Sequence, residues 1–187
     1  MKYKKYYDLI EKQAKIFDKT QNCQIGQTWR FHLLPVINNS IMLAEKYGAD
    51  KDIVELASIF HDYADLLDYA NRENHHIIGA ELAEKILIED GFDDKFIKKV
   101  KLCILNHRAS VVREKFSIEE ICVADADAMS HLDNAVELIC WRAYLGEDII
   151  SCNNFVKEKI QKSYAKMSIE TKSYMKEKYE SIMRVLF

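Results

Sequence analysis

Glycine and proline are scarce in this chain, at five and one in 187 residues. Average usage would supply about twice as many glycines and many more prolines. Sheets joined by tight turns consume both residues, whereas helix interiors avoid them. The scarcity excludes a turn-rich β architecture and predicts an all-α fold. Cysteine is not scarce, but paired spacing is absent. The five residues Cys23, Cys103, Cys122, Cys140 and Cys152 are odd in number, widely scattered and never in a C-x-x-C pair. That argues against a disulfide framework and a cysteine zinc site, and reads as buried thiols in a reducing compartment. No apolar run approaches the roughly 20 residues that cross a bilayer. The basic opening, Met1 to Lys5, has no apolar signal core behind it. A formal net charge of −3 with mixed signs lacks the basic stripe of a dedicated nucleic-acid binder. No repeat, low-complexity tract or Pro/Ser-rich linker interrupts the chain. These absences lead us to expect a cytoplasmic single-domain protein with neither a membrane nor a nucleic-acid partner, its oligomeric state left open.

Hydrophobic residues make up 49% of the chain, and they recur at helical spacing from end to end. A first helix is expected over about 3–22, with Tyr6, Leu9, Ile10, Gln13, Ile16 and Phe17 facing inward. After a loop at Gly26, Thr28 can cap a second helix that ends at Tyr47 and Gly48. Pro35 is tolerated only near a first turn, which moves the start of that helix toward His32. Asp50 or Asp52 caps a third helix, whose inner face reads Ile53, Leu56, Ala57, Phe60, Ala64 and Leu67. The polar stretch Asn71 to Asn74 leads to a helix over about 75–89 closed by Gly91. Another runs from Asp93 to Asn106. Ser117, with Glu120 three residues on, has capping-box spacing. It opens a helix that carries Asp125 and Asp127 and continues, with room for a break, to Leu145. Helices over 153–166 and 169–186 complete the chain.

The six histidines are the informative residues: His32, His61, His75, His76, His107 and His131. Five of them, with Asp62 and Asp127, fall on separate expected helices or at helix starts, a distribution that suits a metal centre inside a helical bundle. A histidine taken singly is more often structural than a ligand. The pair His61-Asp62 changes that balance, because it directly follows the apolar run Leu56-Ala57-Ser58-Ile59-Phe60. Burying a carboxylate beside an imidazole costs several kcal/mol unless a cation or strong donors compensate. A divalent ion compensates, and so does an arginine.

A histidine, then a His-Asp pair, then a distant aspartate, each on its own helix, resembles the core motif of the HD-domain metal-dependent phosphohydrolase superfamily. Here the elements read as His32 in Phe31-His32-Leu33-Leu34-Pro35-Val36, then His61-Asp62, then Asp127 in Ala124-Asp125-Ala126-Asp127-Ala128-Met129. The resemblance covers about 28–142, leaving a helical extension at each end. It implies that His32, His61, Asp62 and Asp127 hold a divalent ion. Two further histidines that hold a second ion in many members match His75, four residues before Gly79, and His107 in Leu105-Asn106-His107-Arg108. The chain is similar to the small bacterial hydrolases of the superfamily that include deoxynucleoside triphosphate pyrophosphohydrolases. The run Lys166 to Thr171 and the closing charged helix also resemble that group.

Neighbouring candidates compete at two places. Asp125 and Asp127 point in nearly opposite directions on one helix, so only one faces the centre. Asp127 matches the motif and shares a face with Val123 and His131, which leaves Asp125 as a supporting or solvent residue. Likewise the Gly79 spacing selects His75, with His76 at the surface or facing substrate. Asp65, three residues after Asp62, is an acid where the cyclic-dinucleotide phosphodiesterases of the superfamily have lysine. It either orients or deprotonates the attacking water or is a helix-surface aspartate. The implied chemistry is attack of metal-activated water on a phosphoester or phosphoanhydride of a small phosphorylated substrate, expected to be a nucleotide. One or two ions are expected: Mn²⁺, Fe²⁺, Ni²⁺, Zn²⁺, Co²⁺ or Mg²⁺, with mixed N/O donors suiting Mg²⁺ alone least. Arg30, Arg72, Arg108 and Arg113 lie near the motif, and Arg108, adjacent to His107, is the candidate for holding substrate phosphate. The rival readings are an HD-fold di-iron oxygenase and a non-catalytic, metal-stabilised nucleotide-binding module.

Overall fold

The computed structural model describes residues 2–20, 27–108 and 117–186. The expected loop at Gly26, the end of the first helix near Asn22, Cys23 and Arg113 lie outside these. Every regular element among the described residues is helical, as the scarcity of glycine and proline predicts. In chain order they are α1 (Lys4–Thr20), a π-helical turn (Trp29–Leu33), α2 (Leu34–Tyr47), α3 (Lys51–Phe60), α4 (Tyr63–Leu67), a 3-10 turn (Tyr69–Glu73), α5 (His75–Glu89), α6 (Asp94–Asn106), α7 (Ile118–Asp133), α8 (Ala135–Tyr144), α9 (Ile149–Lys166) and α10 (Ile169–Val185). No helix among the described residues is long and apolar enough to cross a membrane.

Local signals set most helix ends. Asp50 caps α3 by accepting from the Asp52 and Ile53 amides, and Asp93 caps α6 in the same way. Ser117 Oγ accepts from the Glu120 amide at the start of α7. Gly48 closes α2 in the left-handed region (φ 73°), a conformation glycine adopts without steric cost. Thr28 does not cap. Its hydroxyl donates to Asp18 of α1 instead, at 2.5 Å. The π turn that follows has a cause in Pro35, which has no N–H and whose ring crowds the carbonyl four residues back. The Leu34 amide bonds to the Trp29 carbonyl, one residue beyond the α-helical partner.

Helix α7 is the axis of the bundle. It packs against α2, α3, α6, α9 and α10, and eleven of its residues are buried. Enclosure on all sides explains why its apolar residues do not confine themselves to one stripe. Ala124, Ala126 and Ala128 are all buried in it, and such small side chains admit neighbouring helices closely. Outside this axis, α1 lays Tyr6, Ile10 and Ala14 onto the core, and the Tyr6 ring meets Phe60 edge-on at 5.3 Å.

Two inner-face expectations fail. Leu67 and Ile16 are exposed. The third helix does not run through to Leu67 but breaks at His61 and Asp62, and α4 starts afresh, burying Ala64, Asp65 and Leu66. The helix expected to reach Leu145 breaks at Asn134, and α9 starts at Ile149, four residues early, capped by Asp148.

Candidate metal centre

Irregular backbone delivers most of the candidate residues. His32 sits in the π turn, His61 and Asp62 occupy the break between α3 and α4, His75 opens α5, and His107 directly follows α6. Asp127 comes from the middle of α7. At the break, His61 keeps helical dihedrals while Asp62 leaves them (φ −109°, ψ 15°).

These six side chains converge. His32 Nε2 lies 2.9 Å from Asp62 Oδ2 and 3.8 Å from Asp127 Oδ1. His61 Nε2 is 3.3 Å from both His32 Nε2 and Asp62 Oδ2. The second oxygen, Asp62 Oδ1, is 3.3 Å from His75 Nε2 and 3.5 Å from His107 Nε2. Two triads of donor atoms result, His32–His61–Asp127 and Asp62–His75–His107, each with its atoms within 4.8 Å of one another. Asp62 thus turns one oxygen toward each histidine pair. The centre is buried except on one side, where His32 and Asp62 retain 23% and 18% of their side-chain exposure.

The far side of every ring is tied down. Nδ1 of His61, His75 and His107 each donates to the carbonyl three residues earlier, Ser58, Arg72 and Ile104, at 2.6–2.7 Å. A carbonyl only accepts, so Nδ1 carries the proton in all three. Ser130 Oγ spends its proton on the Asp127 carbonyl at 2.7 Å, and therefore accepts from His32 Nδ1 at 3.1 Å. All four rings consequently offer Nε2 inward as a lone-pair donor when neutral, the tautomer that metal ligation requires. His75 Nε2 and His107 Nε2 stand 3.1 Å apart. Two bare lone pairs at that distance repel unless a cation or proton lies with them. The donor set fits a divalent ion.

The charges agree with that fit. Burial opposes ionisation of Asp62, but His61, His107 and His32 outweigh it and hold the carboxyl well below its usual range. Burial likewise disfavours charge on His61, yet Asp62 and Asp127 carry it up to about 9. Burial lowers His107. Asp127 is held well down against burial by Lys166 and His131.

Asp65 is nearly buried. Its Oδ2 accepts from the Arg72 guanidinium at 3.1 Å, while its Oδ1 has no hydrogen-bond partner among the described residues. Burial, then the Asp62 charge, pushes its carboxyl up. It is not a helix-surface residue. Arg108, expected to meet substrate, turns its guanidinium to the carbonyl and carboxylate of Glu73 and ties the end of α6 to the turn before His75. Asp125 is fully buried rather than solvent-facing, and accepts from the amide and hydroxyl of Ser168 at the start of α10. His76 is buried, with its ring 5.7 Å from that of His75.

Sequence reasoning missed the groups that flank Asp127 and His32. Lys166 Nζ reaches Asp127 Oδ2 at 2.7 Å, and His131 stacks on His32 at 5.5 Å. Lys159 lies close enough to Asp127 and Asp62 to interact with both charges. The available signal was that Lys159, Ser163 and Lys166 share one face of α9. What that face packs against was not readable.

A model of the HD domain family matches residues 31–132, just over half of the chain. The chain belongs to the HD domain family. It is similar to a ribonuclease Y of Rubrobacter xylanophilus, 30% identical over 105 residues, which is 56% of this chain but 18% of that protein. It is also similar to a symmetrical bis(5'-nucleosyl)-tetraphosphatase of Bacillus subtilis, 54% identical over 41 residues, 22% of each chain. The chain therefore spans about a fifth of the length of both relatives. In fold it resembles a predicted HD superfamily hydrolase from an uncultured Thermotogales bacterium, with a TM-score of 0.59, 20% identity and 85% of each chain covered. Helices α1, α8, α9 and α10 of this HD protein fall outside the matched segment, so Lys159 and Lys166 do as well.

Proposed function

We propose that this HD protein is a metal-dependent phosphohydrolase that cleaves a phosphoester or phosphoanhydride bond of a small nucleotide. The observation that carries the reading is the uniform tautomer of its four inward histidines, with Asp62 turning one oxygen to each histidine pair. His32, His61 and Asp127 would hold one ion and His75 and His107 a second, with Asp62 offering one oxygen to each group. Ions held by these donors supply Lewis acidity, bringing the pKa of water toward neutrality and offsetting charge on phosphoryl oxygens. Mixed N/O donors suit Mn²⁺, Fe²⁺, Co²⁺, Ni²⁺ or Zn²⁺.

The protein's own groups do the rest. Asp65 Oδ1, which has no hydrogen-bond partner among the described residues, accepts a proton from the attacking water, while Arg72 fixes its other oxygen. The water oxygen bonds to phosphorus, and the bond to the leaving oxygen breaks with its electron pair on that oxygen. Lys166 and Ser130 hold the carboxylate and the backbone of Asp127. The nucleotide reading draws on the likeness to the Bacillus subtilis tetraphosphatase.

Purified protein incubated with Mn²⁺, Mg²⁺ or Co²⁺ and a panel of nucleotides and phosphomonoesters tests this, with products read by mass spectrometry. The expected result is metal-dependent release of phosphate, pyrophosphate or a nucleotide, absent in Asp62→Ala. No product with any metal and substrate contradicts it.

A further inference from the structure

Helix α9 brings a second set of groups to the centre. Lys159, Ser163 and Lys166 recur at four- and three-residue intervals, one face of the helix, and α9 packs on α7. Ser163 Oγ meets His131 Nδ1 at 2.9 Å, and Lys166 Nζ meets Asp127 Oδ2 at 2.7 Å. Lys159 stands on this face, partly buried, within electrostatic reach of Asp127, Arg72, Lys166 and Asp62. Among the described residues its ammonium makes no hydrogen bond and no ion pair with a carboxylate.

The acids nearby are already committed. Lys166 takes the outer oxygen of Asp127, Arg72 takes Asp65, and Asp62 faces the histidines. Partial burial of an ammonium without a counter-ion is unfavourable, so an arriving anion gains by meeting it. The charge balance points the same way. Four carboxylates (Asp62, Asp65, Asp127 and Glu137, which interacts with His32) face three cations (Arg72, Lys159, Lys166), which leaves most of the charge of any divalent ions to be offset by substrate. A phosphate chain offsets more of it than a single phosphoryl group.

We propose that Lys159 anchors the phosphate adjacent to the one under attack, so that the substrate is a phosphoanhydride with at least two linked phosphates rather than a monoester. The inference rests on the phosphohydrolase reading and narrows it to a substrate class. Lys159 is here a binding residue for the neighbouring phosphate. It takes no proton and touches no bond that breaks.

Calorimetric titration of Mn²⁺-loaded protein with methylenediphosphonate and with inorganic phosphate tests it without turnover. Lys159→Gln is expected to weaken diphosphonate binding ~tenfold or more while changing phosphate binding less than about threefold, with Mn²⁺ uptake unaltered. Lys159→Arg keeps the charge and should stay within about threefold of the parent for both ligands. Lys159→Gln with unchanged diphosphonate affinity, or with equal loss for both ligands, overturns the inference. So does a parent protein that takes up Mn²⁺ and ignores diphosphonate. Failure of the parent to take up any of Mn²⁺, Fe²⁺, Co²⁺, Ni²⁺ or Zn²⁺ overturns the phosphohydrolase reading together with it, which keeps the two failures distinct.

Discussion

Lys166 Nζ lies 2.7 Å from Asp127 Oδ2, joining the last turn of α9 to the central helix of the bundle. Both side chains are about nine-tenths buried. Removing one partner of such a pair leaves the other charge uncompensated, at a cost of about 3 kcal/mol, or roughly 6–12 °C in Tm for a chain of this size. Lys166→Met should therefore melt well below the parent in EDTA. Mn²⁺ supplies the missing positive charge beside Asp127, so the gap should narrow when it is added. Scanning calorimetry with and without the ion reads both values, and a gap that widens with metal contradicts the arrangement.

His61 makes metal uptake pH-dependent. Asp62 and Asp127 outweigh burial and hold its imidazole charged up to about 9, whereas a ligand must be neutral. At pH 7.5 metal binding should eject about one proton from this residue, and apparent affinity should climb with pH until about 9. Calorimetry at one pH in buffers of different ionisation enthalpy counts the protons. Uptake without proton release shows that His61 is not displaced from its charged state.

Asp65 links activity and stability in opposite senses. Burial raises its pKa on folding, so the folded chain binds more protons there than the unfolded chain between the two pKa values. Stability then falls as pH rises through that window. Asp65→Asn should raise Tm at neutral pH while lowering kcat ~10²–10⁴-fold, and should erase an acid limb lying above the ordinary carboxylate range. An unchanged pH–rate profile in the variant removes Asp65 from the proton transfer.

Arg108 separates the sequence expectation from the observed contact. Its guanidinium is engaged by Glu73, whose side chain is largely exposed. If its role is to fix the turn before His75, Arg108→Ala and Glu73→Ala should change KM by the same small factor and combine without adding. A large KM rise confined to Arg108→Ala would instead mark it as a substrate contact.

Much of this was legible in the residues, and the reasons divide by range. Asp50, Asp93, Ser117, Gly48 and Gly91 act within a few residues of themselves, so the helix ends they set are readable from the chain alone. The candidate ligands stand out because a His-Asp pair behind an apolar run is costly without compensation. The break at His61 and Asp62 was not readable, because Tyr63 to Leu67 continue a helical composition, and only packing turns that segment aside. Asp125 reaches Ser168, far along the chain, and Lys159 and Lys166 enter from α9; such pairings depend on which helix faces meet. In the sequence, Pro35 constrains where a helix begins. Its effect is larger, since the π turn ahead of it is the turn that carries His32.

In the proposed function, one cluster of His and Asp side chains both holds the metal and enables hydrolysis. The decisive measurement is metal content per chain after loading, by elemental mass spectrometry on the same samples assayed for phosphate release. Two ions per chain and turnover in the parent, with ions and turnover lost together in Asp62→Ala, are the predicted result. Turnover that survives in Asp62→Ala after its metal is gone would contradict it.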